Sequence, residues 1–254
     1  MNESVARAAQ IVSLLDLTSL TGAETEPDID DLCVRAESPL GPVAAICVYP
    51  RHLPRVRAGL DRLGLSAVGL ATVVNFPDGS LDEARVVAEI REALALGSTE
   101  VDLVFPYLAF MNGQVAGVRG FLDACRRACP VLLKVILETG VLGDEEMIRS
   151  ASRLALDCGA DFLKTSTGKV RVHATPEAAQ VMLEAIAEGG GRAGFKASGG
   201  LRTMADALVY LELAEEIMGP GWVSPRSFRF GASSLLDDVL AVAGREGLGC
   251  AEPA

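Results

Sequence analysis

Eight short apolar or β-branched runs, each followed by a longer stretch of helical period, account for most of this 254-residue chain. The runs fall at 12–17, 43–48, 68–74, 100–105, 131–138, 161–165, 193–197 and 227–231. After them, apolar residues recur at helical spacing near 26–37, 51–63, 81–96, 115–128, 144–158, 176–188, 203–218 and 233–243. A strand that is followed by a helix returns to pair with a parallel neighbour, so this alternation predicts an α/β fold around a parallel sheet. Helix-start signals at Asp144, at Thr175 before Pro176, at Thr203 with Asp206 three positions on, and at Ser233 place several of the boundaries.

Eight βα units in about 250 residues match a closed (β/α)8 barrel, the TIM barrel. An open doubly wound sheet is the competitor, but no GxGxxG follows the first run, where a dinucleotide fold would carry it. No linker, low-complexity run or charge block divides the chain. Residues 1–254 are therefore expected to form a single domain, with a short N-terminal helix at 1–11 and a loose tail over 244–254.

Charge narrows the partners. A formal net charge of −11 argues against nucleic acid or an anionic membrane, and an anionic substrate would need a local positive site. The six cysteines (Cys33, Cys47, Cys125, Cys129, Cys158 and Cys250) form no CxxC pair, as expected of reduced thiols in a cytosol. Asp16 interrupts the N-terminal apolar stretch, so no secretory signal is read there, and the uncharged run from Gly41 to Pro50 is too short to span a bilayer. A soluble cytoplasmic protein is expected.

In a barrel, alternate strand residues point inward and the active site lies at the strands' C-terminal ends. Lys164 in DFLKTSTGK and Lys196 in AGFKASGG each end such a run. Taking both as inward leaves Leu163 and Phe195 for the helix layer, and the same parity places Asp16, Cys47, Asp102 and Lys134 inside. Two carboxylates cannot neutralise three buried ammonium groups, so one lysine is expected to be neutral. Lys164 and Lys196 stand 32 positions apart, about one βα unit, and neighbouring strands lie about 4.8 Å apart. Repulsion and desolvation would then lower the pKa of one amine and make it a nucleophile toward carbonyls. A lysine at a strand end more often snorkels or pairs with an acid, and only the combination with Asp16 and Asp102 favours amine chemistry.

Glycine-bearing turns follow the last three runs: STGK at 166–169, SGGLRT at 198–203 and GASS at 231–234. Their N–H groups, with Lys169, Arg202, Ser233 and Ser234, are expected to hold a phosphate. A single such turn commonly serves conformation only; three on adjacent strands point to a small phosphorylated carbonyl compound. The two histidines, His52 and His173, have no other plausible ligand nearby in sequence, so no metal is expected, and STGK lacks the upstream glycine of a nucleotide-binding P-loop. Cys33, Cys125, Cys129 and Cys158 lie on helical patterns and read as core fillers.

These segments resemble the deoxyribose-phosphate aldolases, class I aldolases on a TIM barrel. The resemblance runs from Leu14 to Leu240 through LLDLTSL, AAICVYPR, ATVVNFPDG, EVDLVFPY, LLKVILETG, ADFLKTSTGK, GFKASGG and RFGASSLL. It implies Lys164 as the Schiff-base lysine, Lys196 as the neighbouring cation that keeps it nucleophilic, and Asp102 as the acid relaying protons. It further implies Asp16, Cys47 and Lys134 as pocket wall, and Thr167, Gly168, Lys169, Gly199, Gly200, Gly231, Ser233 and Ser234 as substrate and phosphate contacts. The implied reaction is metal- and cofactor-free cleavage of 2-deoxyribose 5-phosphate to glyceraldehyde 3-phosphate and acetaldehyde by a homodimer. Another Schiff-base phosphosugar aldolase or transaldolase, or a non-catalytic phosphosugar-binding protein, is the alternative. This chain departs from some members at Ala197 and Ser198, where they have Pro and Ala or Cys. It also lacks a terminal tyrosine, ending GLGCAEPA with no Tyr beyond Tyr210.

Overall fold

The structure, a computed structural model, describes residues 3–219 and 221–248. Eight parallel strands close into a barrel in sequence order: β1 (Leu15–Ser19), β2 (Ala45–Val48), β3 (Gly69–Val74), β4 (Glu100–Val104), β5 (Leu132–Ile136), β6 (Phe162–Lys164), β7 (Gly194–Ser198) and β8 (Phe228–Ala232), which pairs back with β1. Each strand is rich in Val, Ile, Leu, Phe or Ala and is buried on both faces, as strands between side-chain layers and helices must be. The main core lies between barrel and helices, where Leu163, Phe195, Phe228 and Phe230 sit.

Three of the four helix-start signals act as read. Asp144 accepts from the amides of Glu146 and Met147, Thr175 from that of Ala178, and Thr203 forms a reciprocal box with Asp206. Ser233 falls two residues ahead of the final helix, Leu235–Leu248. Residues 244–248 therefore belong to a helix rather than to a loose tail; residues 249–254, Cys250 among them, lie outside the described residues.

Other boundaries move for local reasons. The first strand starts at Leu15, not at 12, because Ala8, Ile11 and Val12 share the buried stripe of the N-terminal helix Glu3–Ser13. That helix packs against Leu235–Leu248 and is tied to the helix Met204–Met218 by Arg7 and Glu215 at 2.6 Å. The run 131–138 stops pairing at Ile136, and Glu138 adopts a left-handed conformation, φ 58°, ahead of a short helix at Thr139–Leu142. Another short helix, Tyr107–Met111, and a hairpin joining Glu37–Ser38 to Gly41–Pro42 carry no periodic pattern long enough to read.

Candidate active site

Strand parity and register bring the charged residues together. Lys164 is the register partner of Lys196, and Asp102 that of Lys134, so four consecutive strands, β4 to β7, turn these charges into one side of the barrel interior. The Lys164 and Lys196 amines both donate to Oδ2 of Asp102, at 2.7 and 2.8 Å. Lys196 also donates to Oδ2 of Asp16. Below them, Lys134 reaches three acids: Glu100 at 2.5 Å, Asp102 at 3.0 Å and Asp16 at 3.5 Å.

Two members of this network are absent from the sequence reading. Glu100 and Arg229 lie two residues before Asp102 and Gly231 on their strands and close the floor of the barrel. Arg229 donates to Asp16 at 2.6 Å and to Glu100 at 3.1 Å, with its guanidinium 5.9 Å from the Phe162 ring centre. The hydrogen-bonded network thus holds Asp16, Glu100 and Asp102 against Lys134, Lys164, Lys196 and Arg229. The expected tally of five ionisable groups is corrected to seven, and a surplus of one cation survives the correction.

The cations share the surplus unequally. Burial would lower the Lys134 ammonium, but Asp102, Glu100 and Asp16 hold it above its ordinary value. Lys196 is likewise buried, yet Asp102 and Asp16 raise it. For Lys164 burial wins: its one carboxylate, Asp102, opposes the shift, but Lys196 repels it and the pKa falls. Burial also works against ionised Asp16 and Asp102. The surrounding cations, led by Lys196 for Asp16 and by Lys134 for Asp102, hold both carboxyls below the usual range.

Above Lys164 opens a cavity of about 320 Å³. Its walls are the turns expected to hold phosphate: Thr167, Gly168 and Lys169 after β6, Gly199, Gly200 and Arg202 after β7, and Gly231, Ser233 and Ser234 at the end of β8. Gly199 and Gly200 have φ of 85° and 82°, a region that side chains rarely adopt. Gly231 has no such twist but lacks room: a Cβ there would meet Ser198 Cβ at 2.8 Å and Lys196 Cε at 2.9 Å. A larger cavity of about 810 Å³, at the opposite end of the barrel near Arg126 and Arg229, contains none of the lysines.

Asp16, Cys47 and Lys134 point inward as parity requires, but they are fully buried under the cavity and do not line it. Burial, reinforced by Asp102, raises the Cys47 thiol pKa. Cys33, Cys125, Cys129 and Cys158 are buried free thiols. His173, considered in the sequence only as a metal ligand and set aside, lines the cavity against the Gly199–Gly200 turn. Glu138 is also buried there, accepting from the Thr167 amide at 3.2 Å and from its hydroxyl, and burial raises its pKa. Parity would have found Glu100 and Arg229; nothing in the sequence marks Glu138 or His173. Among the described residues, no group of three or more His, Cys, Asp or Glu side chains is arranged to hold a metal ion.

A closed parallel barrel with paired lysines over an aspartate at its C-terminal mouth has the architecture of a barrel aldolase. The sequence pattern of the DeoC/LacD family aldolases matches residues 10–240, and the chain belongs to that family. Among solved structures it is similar to a candidate deoxyribose-phosphate aldolase from Coccidioides immitis, at 28% identity over 91% of this chain and 85% of that one, TM-score 0.78. The fold is shared with a candidate deoxyribose-phosphate aldolase from Toxoplasma gondii, at 24% identity over 95% of each chain, TM-score 0.84. It is also shared with the tetrameric deoxyribose phosphate aldolase of Aeropyrum pernix, at 24% identity over 97% of this chain and 98% of that one, TM-score 0.73.

Proposed function

We propose that the protein reversibly cleaves 2-deoxy-D-ribose 5-phosphate to D-glyceraldehyde 3-phosphate and acetaldehyde through a Schiff base on Lys164. The observation that carries this reading is that Lys164 lines the cavity and is the one lysine of the network whose pKa is lowered. Its neutral amine adds to the aldehyde carbon of the open-chain sugar, and loss of water from the carbinolamine gives a protonated imine. As the hydroxyl on carbon 3 gives up its proton, the bond between carbons 2 and 3 breaks and its electron pair flows into the imine. Glyceraldehyde 3-phosphate leaves, and the enamine left on Lys164 is protonated at carbon 2 and hydrolysed to acetaldehyde.

The surrounding residues divide the remaining work. Lys196 keeps Lys164 nucleophilic by repulsion, while Asp102 accepts from both amines and relays protons through a water. Thr167, Gly168, Lys169, Gly199, Gly200, Gly231, Ser233 and Ser234 bind the substrate, with the turns holding its phosphate. Asp16, Cys47 and Lys134 support the pocket from beneath. The chain acts as one catalytic domain, and self-association, expected as a homodimer, follows the family habit; the Aeropyrum pernix protein is described as a tetramer. No described helix is long and apolar enough to cross a membrane.

Incubation with acetaldehyde and borohydride tests the reading: an ethyl adduct is expected on Lys164 by mass spectrometry. Absence of the adduct, or its persistence in Lys164→Ala, overturns the assignment. Comparing acetaldehyde with dihydroxyacetone and pyruvate in the same trap separates this activity from transaldolase-like and keto-acid aldolase chemistry.

A further inference from the structure

We infer that the Arg229–Glu100 pair at the floor of the barrel sets the charge state of Lys164 at its mouth, so that these two residues are positioning residues that tune the pH range of the reaction. The inference rests on the Schiff-base reading of Lys164 and goes beyond it to residues that do not line the cavity above that lysine.

Continuity of the network carries the argument. Arg229 bonds both carboxylates on its side, Asp16 and Glu100; Glu100 bonds Lys134; Lys134 bonds Asp102; and Asp102 bonds Lys164 and Lys196. A second path runs from Arg229 through Asp16 to Lys196, the register neighbour of Lys164. Arg229 and Glu100 are 6% and 7% exposed, so water screens their charges little. Each cation added to or removed from such an interior alters the cost of protonating the most weakly paired amine, which is Lys164 with a single shared acceptor.

The charged and titratable groups around Lys164 come from every side of the barrel. They are Asp16 on β1, Cys47 on β2, Glu100 and Asp102 on β4, Lys134 on β5, Glu138 just beyond β5, Lys196 on β7 and Arg229 on β8, with Lys169, His173 and Arg202 on the turns around the cavity and unchanged in every variant below. Glu138 turns its carboxylate to Thr167 and forms no ion pair among the described residues, so it enters every variant below as the same constant. The wild-type network carries four cations and three carboxylates. Replacing Arg229 by Met leaves three and three, and the amine of Lys164 then gains a proton more easily. Replacing Glu100 by Gln leaves four cations and two carboxylates, and the amine loses its proton more easily. The double replacement returns the surplus to one.

The test reads the pH at which acetaldehyde becomes trapped on Lys164 by cyanoborohydride. At an effective dielectric of about 20 and charges on the order of 10 Å apart, each single variant moves the onset by about one pH unit. The onset is expected to rise in Arg229→Met and to fall in Glu100→Gln. In the double variant and in Arg229→Lys, which keeps the charge, it should return to that of the wild type. A merely structural role would move both single variants the same way or neither, and either result overturns the inference. Should Arg229→Met fail to fold by circular dichroism, a fall in Glu100→Gln reversed in the double variant supports the inference, and any other result overturns it. Failure of the wild type to form an adduct would instead sink the reading of Lys164 itself.

Discussion

The floor and the mouth of the barrel hold the same kind of residue in the same kind of burial, yet they treat it in opposite ways. Lys134 at the floor is fully enclosed and meets three carboxylates, which more than offset its desolvation. Lys164, one strand over and nearer the mouth, is as well buried but has one carboxylate, shared with Lys196 through the same oxygen. A buried amine therefore holds or loses its charge according to how many acids it meets, not how deeply it lies. The cavity opens above Lys164 because the glycine turns at 199–200 and at 231 leave space there.

The largest expected effect contrasts the two lysines directly. Lys134→Met strips Glu100 and Asp102 of a shared partner and should cost about 3–5 kcal/mol in urea unfolding, the range for breaking a buried ion pair. Lys164→Met removes an amine that burial already disfavours and should cost no more than about 1 kcal/mol. Acid titration sharpens the contrast. The folded pKa values of Asp16 and Asp102 are depressed, so their contribution to stability is fully present above about pH 4 and is lost as pH falls through the folded values. Lys134→Met should move acid unfolding to higher pH, whereas Lys164→Met should move it less. Equal losses in the two variants would break the distinction between structural and reactive lysines.

How much of this was legible in the sequence follows the same division. The barrel was readable because strand and helix periods alternate over the whole chain, and parity placed Lys164, Lys196, Asp102, Asp16, Cys47 and Lys134 inside. Glu100 and Arg229 obey the same parity but sit at strand starts, where a charged residue reads as the end of a loop. That they are buried depends on the hairpin and loops that close the floor, including Pro225, whose carbonyl accepts from Arg229 at 2.5 Å. The turns that line the cavity were readable from their glycines. Glu138 was hidden because its apolar neighbours imitate a longer strand, and His173 because only the folded loop brings it over Gly199.

An intermediate effect comes from adding one methyl group at each end. Gly194→Ala at the floor puts a Cβ 2.4 Å from the Phe162 ring, and Gly231→Ala at the mouth puts one 2.9 Å from Lys196 Cε. Both overpack the barrel and should lose about 1–3 kcal/mol of stability. Only Gly231→Ala presses directly on the cation beside Lys164. Its kcat/KM should fall about 10- to 100-fold beyond any loss of folded protein, since small displacements at a reacting centre are costly. Steady-state kinetics on folded fractions of both variants would show the difference, and an equal fall in Gly194→Ala would mean that packing anywhere in the barrel limits the chemistry.

The smallest expected effect lies outside the charged network and tests whether the mouth itself has two parts. Lys169 sits on the turn after β6, its amide donating to Thr167 Oγ1 at 3.0 Å and its ammonium to the Leu20 carbonyl. It has no carboxylate partner among the described ion pairs and lines the cavity, as the proposed phosphate contact requires. Lys169→Met should raise KM for the phosphorylated sugar about tenfold, equivalent to about 1.4 kcal/mol, with kcat nearly unchanged, because the phosphate is held alike in ground and transition states. Acetaldehyde carries no phosphate, so its trapping on Lys164 should be unaffected. A parallel loss of trapping would show that Lys169 acts on the Lys164 amine, and the mouth would then be one electrostatic unit rather than a reactive amine beside a separate phosphate anchor.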